Sequence, residues 1–295
     1  MQSRLLNYFL GVVEQRNISA AAATLNISQP ALTRSIRQLE QMVGTTLFER
    51  LPTGVTLTRQ GEILARRAKL MQLEYRHALA EIEALEKGLA GTLQIGAGPV
   101  WIASLLPSVV ASFHTQFPTV KVRMTSGVID TLVPALLAGD IDILCATLDF
   151  PSHPEIVKEP LLGMKHAVLA RESHPLAGRG VATAQDLARH PWLVLTDDQV
   201  GTGRIGHYFA ANNIEPPTIA VETTAMGMIK ILKEGNFLAH FPERMLTDAE
   251  KFGIVDIPHE GAFWEADAGI AWRRADRPPR ALESFKAIVR ASLSS

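Results

Sequence analysis

The chain has very little cysteine: Cys145 is the only one among its 295 residues, so no disulfide can form within it. This composition fits a reducing compartment, where thiols stay reduced. The sequence has no run of about 18 apolar residues, which excludes a membrane-spanning helix. The N-terminal residues are amphipathic and include Glu14, so we expect no signal peptide and a cytoplasmic location.

Residue patterns typical of catalytic or metal sites are also missing from the sequence. It has no G-x-S-x-G nucleophile motif, and its scattered histidines lack metal-ligand spacing, so we expect no metal site. A GxG sequence ending at Gly98 follows a predicted strand, but Trp101 replaces the third glycine of a dinucleotide loop and Pro99 lacks an N–H for phosphate. Cys145 lies in an apolar run, which is typical of an inert thiol. We therefore expect no enzyme and no cofactor.

Charge is nearly balanced over the whole chain, with a formal net charge of −1. The first 59 residues, however, hold six arginines against three glutamates. Their net charge of +3 leaves −4 for the remainder of the chain. A local basic excess is typical of a DNA-binding module attached to a unit with another role.

Residues 19–50, SAAAATLNISQPALTRSIRQLEQMVGTTLFER, predict two short helices joined by a tight turn. Ser19 is a candidate N-cap for the first helix, and Asn26 suits the left-handed residue that closes it. Ser28 is the candidate N-cap of the second helix, where Pro30 falls in the first turn. Gly44 is expected to end this second helix. A further helix is predicted before the pair, at residues 3–15.

The second of these helices has one apolar and one polar face. Leu32, Ile36, Leu39 and Val43 share the apolar face. The other face has side chains that grip base edges in a major groove, or contact phosphates: Gln29, Thr33, Arg34 and Arg37. Taken alone, this helix is equally well an amphipathic surface helix or a DNA-reading helix.

Residues 46–58, TLFERLPTGVTLT, favour the DNA-reading interpretation. A Pro-Thr-Gly turn lies between two short alternating segments, which predicts a small β-ribbon. Together, a helix, a helix-turn-helix and a β-ribbon, or wing, lie within 58 residues. This combination indicates a DNA-binding domain more specifically than one amphipathic helix does.

A long helix is predicted from Thr58, its candidate N-cap, to about Gly88. Apolar residues recur along it with the 4-3 spacing of a coiled-coil seam, which predicts dimerisation. No independent core is expected beside this narrow seam. Its members are Leu64, Ala68, Met71, Tyr75, Ala78, Ile82, Leu85 and Leu89.

Beyond a glycine-marked boundary near residue 90, predicted strands alternate with predicted helices. This alternation predicts an α/β domain with a mostly parallel sheet covered on both faces. The strands are expected at 92–98, 120–127, 142–149, 166–172, 192–196, 218–222, 236–241, 254–258 and 267–273. About 200 residues is long for one such sheet, so two α/β lobes with a cleft between them are the more natural division.

These segments together resemble the LysR-type transcriptional regulators over almost the whole chain. The motif of residues 19–50, the wing ending LTRQGE and the later GDIDIL and HPLAG segments carry the resemblance. It implies an α/β fold in three parts: a winged helix-turn-helix at 1–58, a linker dimerisation helix at 59–90, and a two-lobed effector domain of the periplasmic-binding-protein type at 91–295. The lobes are expected at about 91–160 plus 266–295, and at about 161–265.

The resemblance also implies roles for individual residues. In the recognition helix, Gln29, Pro30, Thr33 and Arg34 are expected to face bases or the groove, and Ser28, Ser35 and Arg37 the DNA backbone. Arg50 and Thr53 are candidate wing contacts, although Leu51 and Pro52 depart from the family's usual polar wing. The candidate dimerisation residues are Leu64, Met71, Tyr75, Ile82 and Leu85.

An effector is expected between the lobes, because open α/β sheets bind ligands beyond the carboxyl ends of their strands. Trp101 either stacks on a planar ligand or packs as core between the lobes; the sequence leaves both open. The candidate effector-binding residues are Gly98, Pro99, Val100, Trp101, Ser126, Thr147, Thr196, Thr202, Thr224 and Phe241.

Two other classes of protein fit less well. A secreted solute-binding protein would need a signal peptide and no helix-turn-helix, and a metabolic enzyme would need a catalytic constellation. The expectation is therefore a transcriptional regulator that binds promoter DNA as a dimer or tetramer and responds to a small-molecule effector.

Overall fold

The structure is a computed structural model that describes residues 4–52, 54–87, 91–245, 250–275 and 278–293. The chain divides into two compact units, an N-terminal unit of Met1–Ala90 with Leu137–Asp140 and a C-terminal unit of Gly91–Leu136 with Ile141–Ser295. Among the described residues, no helix is long and apolar enough to cross a membrane.

The N-terminal unit is a winged helix-turn-helix followed by a long helix. Its elements are α1 (Arg4–Gln15), α2 (Ile18–Thr24), α3 (Gln29–Val43), β1 (Phe48–Leu51), β2 (Gly54–Leu57) and α4 (Arg59–Lys87). The left-handed Asn26 (φ 54°) lies in the turn between α2 and α3, and Pro30 lies in the first turn of α3. Gly44 (φ 77°) ends α3, and its N–H donates to the Glu40 carbonyl at 2.8 Å. These three predictions are confirmed.

The prediction that Ser19 caps α2 is wrong. Asn17 is the N-cap, and its side-chain oxygen accepts hydrogen bonds from the N–H groups of Ser19 (2.9 Å) and Ala20 (3.1 Å). Asn and Ser cap about equally well, so the residue with extended backbone takes the role. Ser28 does occupy the N-cap position of α3, but its side chain makes no capping hydrogen bond.

The three helices and the wing share one apolar core. Leu32, Ile36 and Leu39 of α3 are buried there, together with Phe9 of α1 and Leu47 before the wing. Val43, expected on the same face, is instead 46% exposed at the end of the helix. Each buried side chain of this core stabilises the fold by about 1.5–3 kcal/mol through burial. The polar face of α3 therefore points away from this core.

The wing is an antiparallel pair, with Phe48 opposite Leu57 and Leu51 opposite Gly54. Thr58 follows it and joins wing to helix: its hydroxyl donates to the Thr46 carbonyl at 2.9 Å and accepts from the Gly61 N–H at 3.0 Å. The predicted cap of α4 is confirmed.

The predicted seam on α4 divides into two parts. Ala68 is buried and Leu64 half-buried against the helix-turn-helix core, so the expectation of no core beside the seam is wrong for its first turns. Farther along, Met71, Tyr75 and Ile82 are 59%, 42% and 55% exposed. The side chain of Leu85, and the whole of Gly88 and Leu89, lie outside the described residues.

The C-terminal unit consists of helices around one large sheet. Its helices are α5 (Leu106–Gln116), α6 (Ile129–Ala138), α7 (Ala184–Ala188), α8 (Gln199–Ala211), α9 (Ala225–Glu234) and α10 (Arg280–Leu293). Its strands are β3 (Gly91–Ala97), β4 (Val120–Ser126), β5 (Ile143–Thr147), β6 (Ile156–Arg171), β7 (Trp192–Leu195), β8 (Ile219–Thr223), β9 (Leu238–Pro242), β10 (Ile254–Asp256) and β11 (Trp264–Arg273).

In the described residues the sheet has nine strands, in the order β4-β3-β5-β11-β6-β9-β7-β8, with β10 paired to β6. The pairs β3–β4, β3–β5, β7–β8 and β7–β9 are parallel. The pairs made by β6 and β11 are antiparallel. The sheet is therefore mixed rather than mostly parallel, because two long strands run against their neighbours.

The strands β6 and β11 link two lobes. Lobe I contains β3, β4 and β5 with α5, α6 and α10, and lobe II contains β7, β8 and β9 with α7, α8 and α9. Both linking strands begin before the residues predicted, at Ile156 and Trp264 instead of 166 and 267. Gly269 lies at a shift in the register of this antiparallel pair, where a methyl group would overlap the Glu159 carbonyl oxygen.

A π-helical turn, Trp101–Leu105, precedes α5. The Ile102 N–H donates to the Gly98 carbonyl at 3.2 Å. Such turns are rare and frequently lie at functional sites, and this one follows the carboxyl end of β3.

Candidate DNA interface and ligand cavity

The polar face of α3 is free to contact a partner. Gln29, Arg34 and Arg37 are exposed and Thr33 is half-buried. Within the described residues, the side chains of Gln29, Arg34 and Arg37 make no hydrogen bond or ion pair. Their donors are therefore available to a partner without the loss of an internal contact.

The start of α3 adds a second feature. Ser28 and Pro30 are exposed, and the Ser28 hydroxyl is not used as a cap. Free N–H groups and the positive end of the helix dipole make a helix N-terminus favourable for a phosphate. Ser35 is half-buried on the same helix.

The structure says less about the wing tip. Leu51 and Pro52 are exposed. Thr53 and the side chain of Arg50 lie outside the described residues, so their contacts with DNA stay predictions.

The second candidate site is a cavity of about 70 Å³ in the C-terminal unit. It lies where the carboxyl ends of β3, β4, β5, β7 and β9 meet, as expected for an open α/β sheet. Its lining is mainly apolar and includes, from lobe I, Gly98, Pro99, Val100, Trp101, Gly127, Val128, Ile129, Ala146 and Thr147, and, from the rest of the unit, Met164, His166, Leu195, Asp198, His240, Phe241, Pro242 and Trp264.

Six of the ten candidate effector-binding residues line this cavity: Gly98, Pro99, Val100, Trp101, Thr147 and Phe241. Ser126, Thr196, Thr202 and Thr224 do not. Thr224 instead caps α9, where its hydroxyl accepts from the Gly227 N–H at 3.3 Å. Ser126 and Thr196 are exposed at the ends of their strands. Their neighbours in the chain, Gly127 and Leu195, line the cavity wall instead. Successive residues of an extended chain point to opposite sides.

Trp101 is both buried and part of the cavity wall. Its side chain is only 2% exposed, and its indole Nε1–H has no hydrogen-bond partner among the described residues. A buried indole N–H usually finds a partner, so this donor is an unused polar group in an apolar wall.

A pair of buried histidines also lines the cavity. His166 of β6 and His240 of β9 approach with their Nδ1 atoms 3.1 Å apart, and the His166 ring lies 4.0 Å from the Trp264 ring. Burial lowers the pKa of His240 to about 4. Burial, and then the neighbouring His240, lower the pKa of His166 well below its usual value.

The sequence did not single out this pair. The two histidines are 74 residues apart along the chain, and only the register of β6 with β9 brings them together, with His166 opposite Pro242 and His240 opposite Val168. The apolar runs in HAVLAR and NFLAHF indicate buried strands, but nothing in either segment indicates a histidine contact.

The N-terminus of α8 closes one side of the cavity. Asp198 is its N-cap and accepts from the Gly201 N–H at 2.8 Å, while burial raises the pKa of the Asp198 carboxyl. The adjacent Val200 N–H donates to the Asp130 carboxylate of lobe I at 3.1 Å. A helix N-terminus of lobe II is thus bound to a carboxylate of lobe I.

A second contact joins α8 to lobe I. The Arg204 guanidinium donates through Nε to the Asp149 carboxylate at 3.0 Å, and the Trp264 indole donates to the same oxygen at 3.1 Å. We call the Asp130–Val200 and Asp149–Arg204 contacts the α8 clasp. Both contacts must break if the lobes separate at this edge.

The described residues offer neither a metal site nor a reactive thiol. Among the described residues, no three His, Cys, Asp or Glu side chains are grouped so that they hold a metal ion. Cys145 is buried in β5, and burial raises the pKa of its thiol, which is typical of an unreactive thiol.

Comparisons with known proteins match both parts of the chain. Residues 3–62 match the family of bacterial regulatory helix-turn-helix proteins of the lysR family, and residues 86–294 match the LysR substrate binding domain. The HTH-type transcriptional regulator BudR of Raoultella terrigena is 32% identical over 97% of this chain and 100% of its own length. The uncharacterized HTH-type transcriptional regulator YybE of Bacillus subtilis (strain 168) is 28% identical over 98% of each chain.

A solved structure has the same architecture over the full length. The crystal structure of full-length CbnR complexed with its target DNA is similar with a TM-score of 0.68 and 25% identity, over 99% of this chain and 100% of that chain. The relatives are transcriptional regulators and not enzymes. This chain, with its winged helix-turn-helix and two-lobed α/β domain, belongs to the LysR family of DNA-binding transcriptional regulators.

Proposed function

We propose that this regulator reads promoter DNA through the polar face of α3 and responds to a small molecule bound in the cavity of the C-terminal unit. The observation that carries the proposal is the free polar face of α3, since Gln29, Arg34 and Arg37 are exposed and have no partner among the described residues. The LysR family assignment and the CbnR–DNA complex support the same reading.

Different residues of α3 have different roles in this proposal. Gln29, Thr33 and Arg34 face base edges, where Gln and Arg can each form two hydrogen bonds with one base. Ser28 and Arg37 contact phosphates, which position the protein but do not specify sequence. Pro30 lies against the groove wall at the N-terminus of α3.

The domain roles follow the three predicted parts. Residues 1–58 bind DNA, 59–90 join two protomers, and 91–295 bind the effector. The exposed Met71, Tyr75 and Ile82 support dimerisation through α4, because large apolar side chains along one stripe of a helix are typical of a seam between helices. Two dimers then form a tetramer through their C-terminal units, as is typical of the family. A regulator of bacterial DNA works in the cytoplasm, and the free thiol of Cys145 suits that compartment.

The effector acts through linkage. The ligand favours the arrangement in which the α8 clasp holds the lobes together over the arrangement in which the lobes are apart. It can change the affinity for DNA only to the extent that its own affinity differs between these two arrangements. The cavity supports this role because its lining comes from both lobes and from the linking strands β6 and β11.

Selection of bound sequences from a pool of random duplexes tests the function. We expect the purified full-length chain to enrich a two-fold-related site, with half-sites spaced by about one or more helical turns of about 10 base pairs. The same selection with the triple variant Gln29→Ala, Arg34→Ala, Arg37→Ala serves as control and is expected to enrich nothing. Recovery of no shared sequence by the unaltered chain would contradict the proposal.

A substitution in the α8 clasp tests the linkage. Asp130→Ala removes the acceptor of the Val200 N–H, and a hydrogen bond to a charged group contributes about 1.5–3 kcal/mol. We expect effector affinity to fall by about 10- to 150-fold, because the bound arrangement of the lobes loses this contact. Calorimetric titration with a ligand found by a thermal-shift screen measures it.

Two matched variants accompany that measurement. Asp130→Asn keeps a side-chain oxygen acceptor and is expected to retain most of the affinity. Glu215→Ala removes an exposed carboxylate of lobe II that lies outside the cavity and is expected to have no effect. Equal affinity in Asp130→Ala and the unaltered chain would show that the clasp does not contribute to effector binding.

A further inference from the structure

The polar groups of the cavity are few and specific. In the wall that the structure describes, the buried Trp101 Nε1 and His166 Nε2 have no hydrogen-bond partner, and the histidine pair shares a single Nδ1···Nδ1 contact. An unpaired buried polar group is costly, so a ligand that satisfies these atoms gains affinity from them.

The chemistry of the pair defines what such a ligand supplies. A neutral imidazole has one N–H, so one Nδ1 donates to the other, and the pair then presents one Nε2–H and one bare Nε2. Adding one proton leaves the Nδ1 hydrogen bond intact and turns both Nε2 atoms into donors. A second proton would set two N–H groups against each other at 3.1 Å. The pair therefore accepts one positive charge.

The surrounding charges do not replace that proton. No Lys or Arg belongs to the described lining. Asp198 of α8 lines the same cavity and caps its helix. Asp149 and Arg204 are paired with each other beyond Trp264, and Asp130 accepts from the Val200 N–H. Beyond Phe263, on which His240 stacks, lies His259. An anionic ligand thus finds its countercharge only by protonation within the wall.

The cavity volume limits the size of the ligand. A site for one water needs about 10–15 Å³ by the same measure, so about 70 Å³ admits a compact molecule. Apart from Thr147, the remaining side chains of the lining are apolar, with Val128, Met164 and Phe241 among them, which favours a hydrocarbon body.

We propose that the effector is a compact monocarboxylate with an apolar body, that its carboxylate accepts hydrogen bonds from Trp101 Nε1 and the His166–His240 pair, and that the pair takes one proton from solvent as the ligand binds. This inference rests on the proposed role of the cavity as the effector site. Binding of the acid is coupled to uptake of a proton, because the described lining has no fixed cation.

The sign of the pH dependence follows from linkage. Without ligand, burial keeps the pKa of His240 at about 4, so the pair is neutral at higher pH. A bound carboxylate raises the pKa of the pair. Between these two values binding takes up one proton, and the dissociation constant of the acid rises about tenfold per pH unit.

Calorimetric titration of the full-length chain tests the proposal. The probes are acetate, propionate, butyrate and benzoate, each paired with its primary amide, which cannot ionise. Titrations in two buffers of different ionisation enthalpy count the protons taken up. We expect at least one acid to bind with uptake of one proton and the tenfold slope, and its amide to bind without either.

Three variants assign the proton. The double variant His166→Asn, His240→Asn keeps two hydrogen-bonding side chains but removes both titratable rings, so proton uptake is expected to disappear. His190→Asn alters the other close histidine pair, His174 and His190, whose rings are 4.5 Å apart and which lies outside the described lining, and is expected to keep the uptake. Asp198→Asn preserves a helix cap and is also expected to keep it. Thermal melting of each variant confirms that it is folded.

Several outcomes would overturn the inference. These are binding of the acid with no proton uptake, an amide that binds as tightly as its acid, no binding by any acid of the panel, or uptake lost in Asp198→Asn but kept in the double histidine variant. None of these outcomes changes the result expected from the DNA selection experiment. A neutral effector that binds the cavity without a proton would leave the proposed regulatory function standing while contradicting this coupling.

Discussion

Ile82→Asp on α4 is expected to convert the dimer into monomers at micromolar concentration. Ile82 is 55% exposed in the single chain and lies on the stripe that contains Met71 and Tyr75. In a two-fold seam each dimer would bury two new carboxylates. Removing one such ion from water costs several kcal/mol even after the protein relaxes, and no basic partner is provided by the substitution.

The loss of the dimer has a second consequence for DNA binding. Two linked helix-turn-helix units bind two half-sites with an avidity of about 10²–10⁴ over one unit. We therefore expect the affinity for a full site to fall by that factor, while the affinity for a single half-site stays the same. Sedimentation velocity measures the first effect and fluorescence anisotropy the second.

Arg66→Asp is the matched control for this variant. Arg66 is exposed on the same helix, and at about 100° per residue it lies about 160° around the helix from Ile82. The Arg66→Asp variant introduces the same side chain as Ile82→Asp, but it is expected to leave the dimer intact. If Ile82→Asp sediments like the unaltered chain, with circular dichroism showing the helix is kept, the seam is not the interface.

Gln29→Ala and Arg34→Ala are each expected to reduce the discrimination between the selected site and random DNA by about 5- to 150-fold, or about 1–3 kcal/mol. Both side chains are exposed on α3 and have no partner among the described residues, so their truncation disturbs no internal contact. Leu32 and Ile36 on the opposite face keep α3 packed on its core. The loss is thus one of recognition rather than of folding.

Arg37→Ala separates base contacts from phosphate contacts on the same helix. A phosphate contact contributes to all sequences, so this variant should weaken specific and random DNA alike and reduce the dependence of log K on log salt by about one. All affinities must be compared at one salt concentration. An unchanged ratio of specific to random affinity in both Gln29→Ala and Arg34→Ala would contradict their assignment as base readers.

The sequence predicted the N-terminal unit well because its signals are local. The apolar spacing of Leu32, Ile36 and Leu39, the left-handed Asn26 and the αL Gly44 each act within one or two helical turns. One error, Ser19 instead of Asn17 as the cap of α2, arose because both residues are good caps, and the backbone angles that decide between them depend on how α1 ends.

The linking strands show where local signals fail. The first half of β6 has Pro160 and alternates poorly, so its sequence reads as a loop. It is held as a strand by β11, whose Trp272 pairs with Val157 and Gly269 with Pro160. Pairing partners more than a hundred residues apart leave no periodic trace in either segment, and this is why the mixed character of the sheet was not predicted.

The candidate ligand site was predicted in part for the same reason. Gly98, Val100 and Thr147 follow or end strands, and the rule for open sheets places such residues at a cleft. The rule does not say which way each side chain points, so Thr196 and Thr224 were expected at a wall that neither lines. It also says nothing of His166 and His240.

The sequence by itself determined the family, the order of the parts and the polar face of α3, since these rest on helix periodicity, turn residues and motif spacing along short stretches. Only the tertiary structure decided that α4 begins within the helix-turn-helix core, that β6 and β11 link the lobes, and that a tryptophan and two histidines share one small cavity. Those features depend on strand register and on packing between distant segments, and burial there sets the pKa of the histidines.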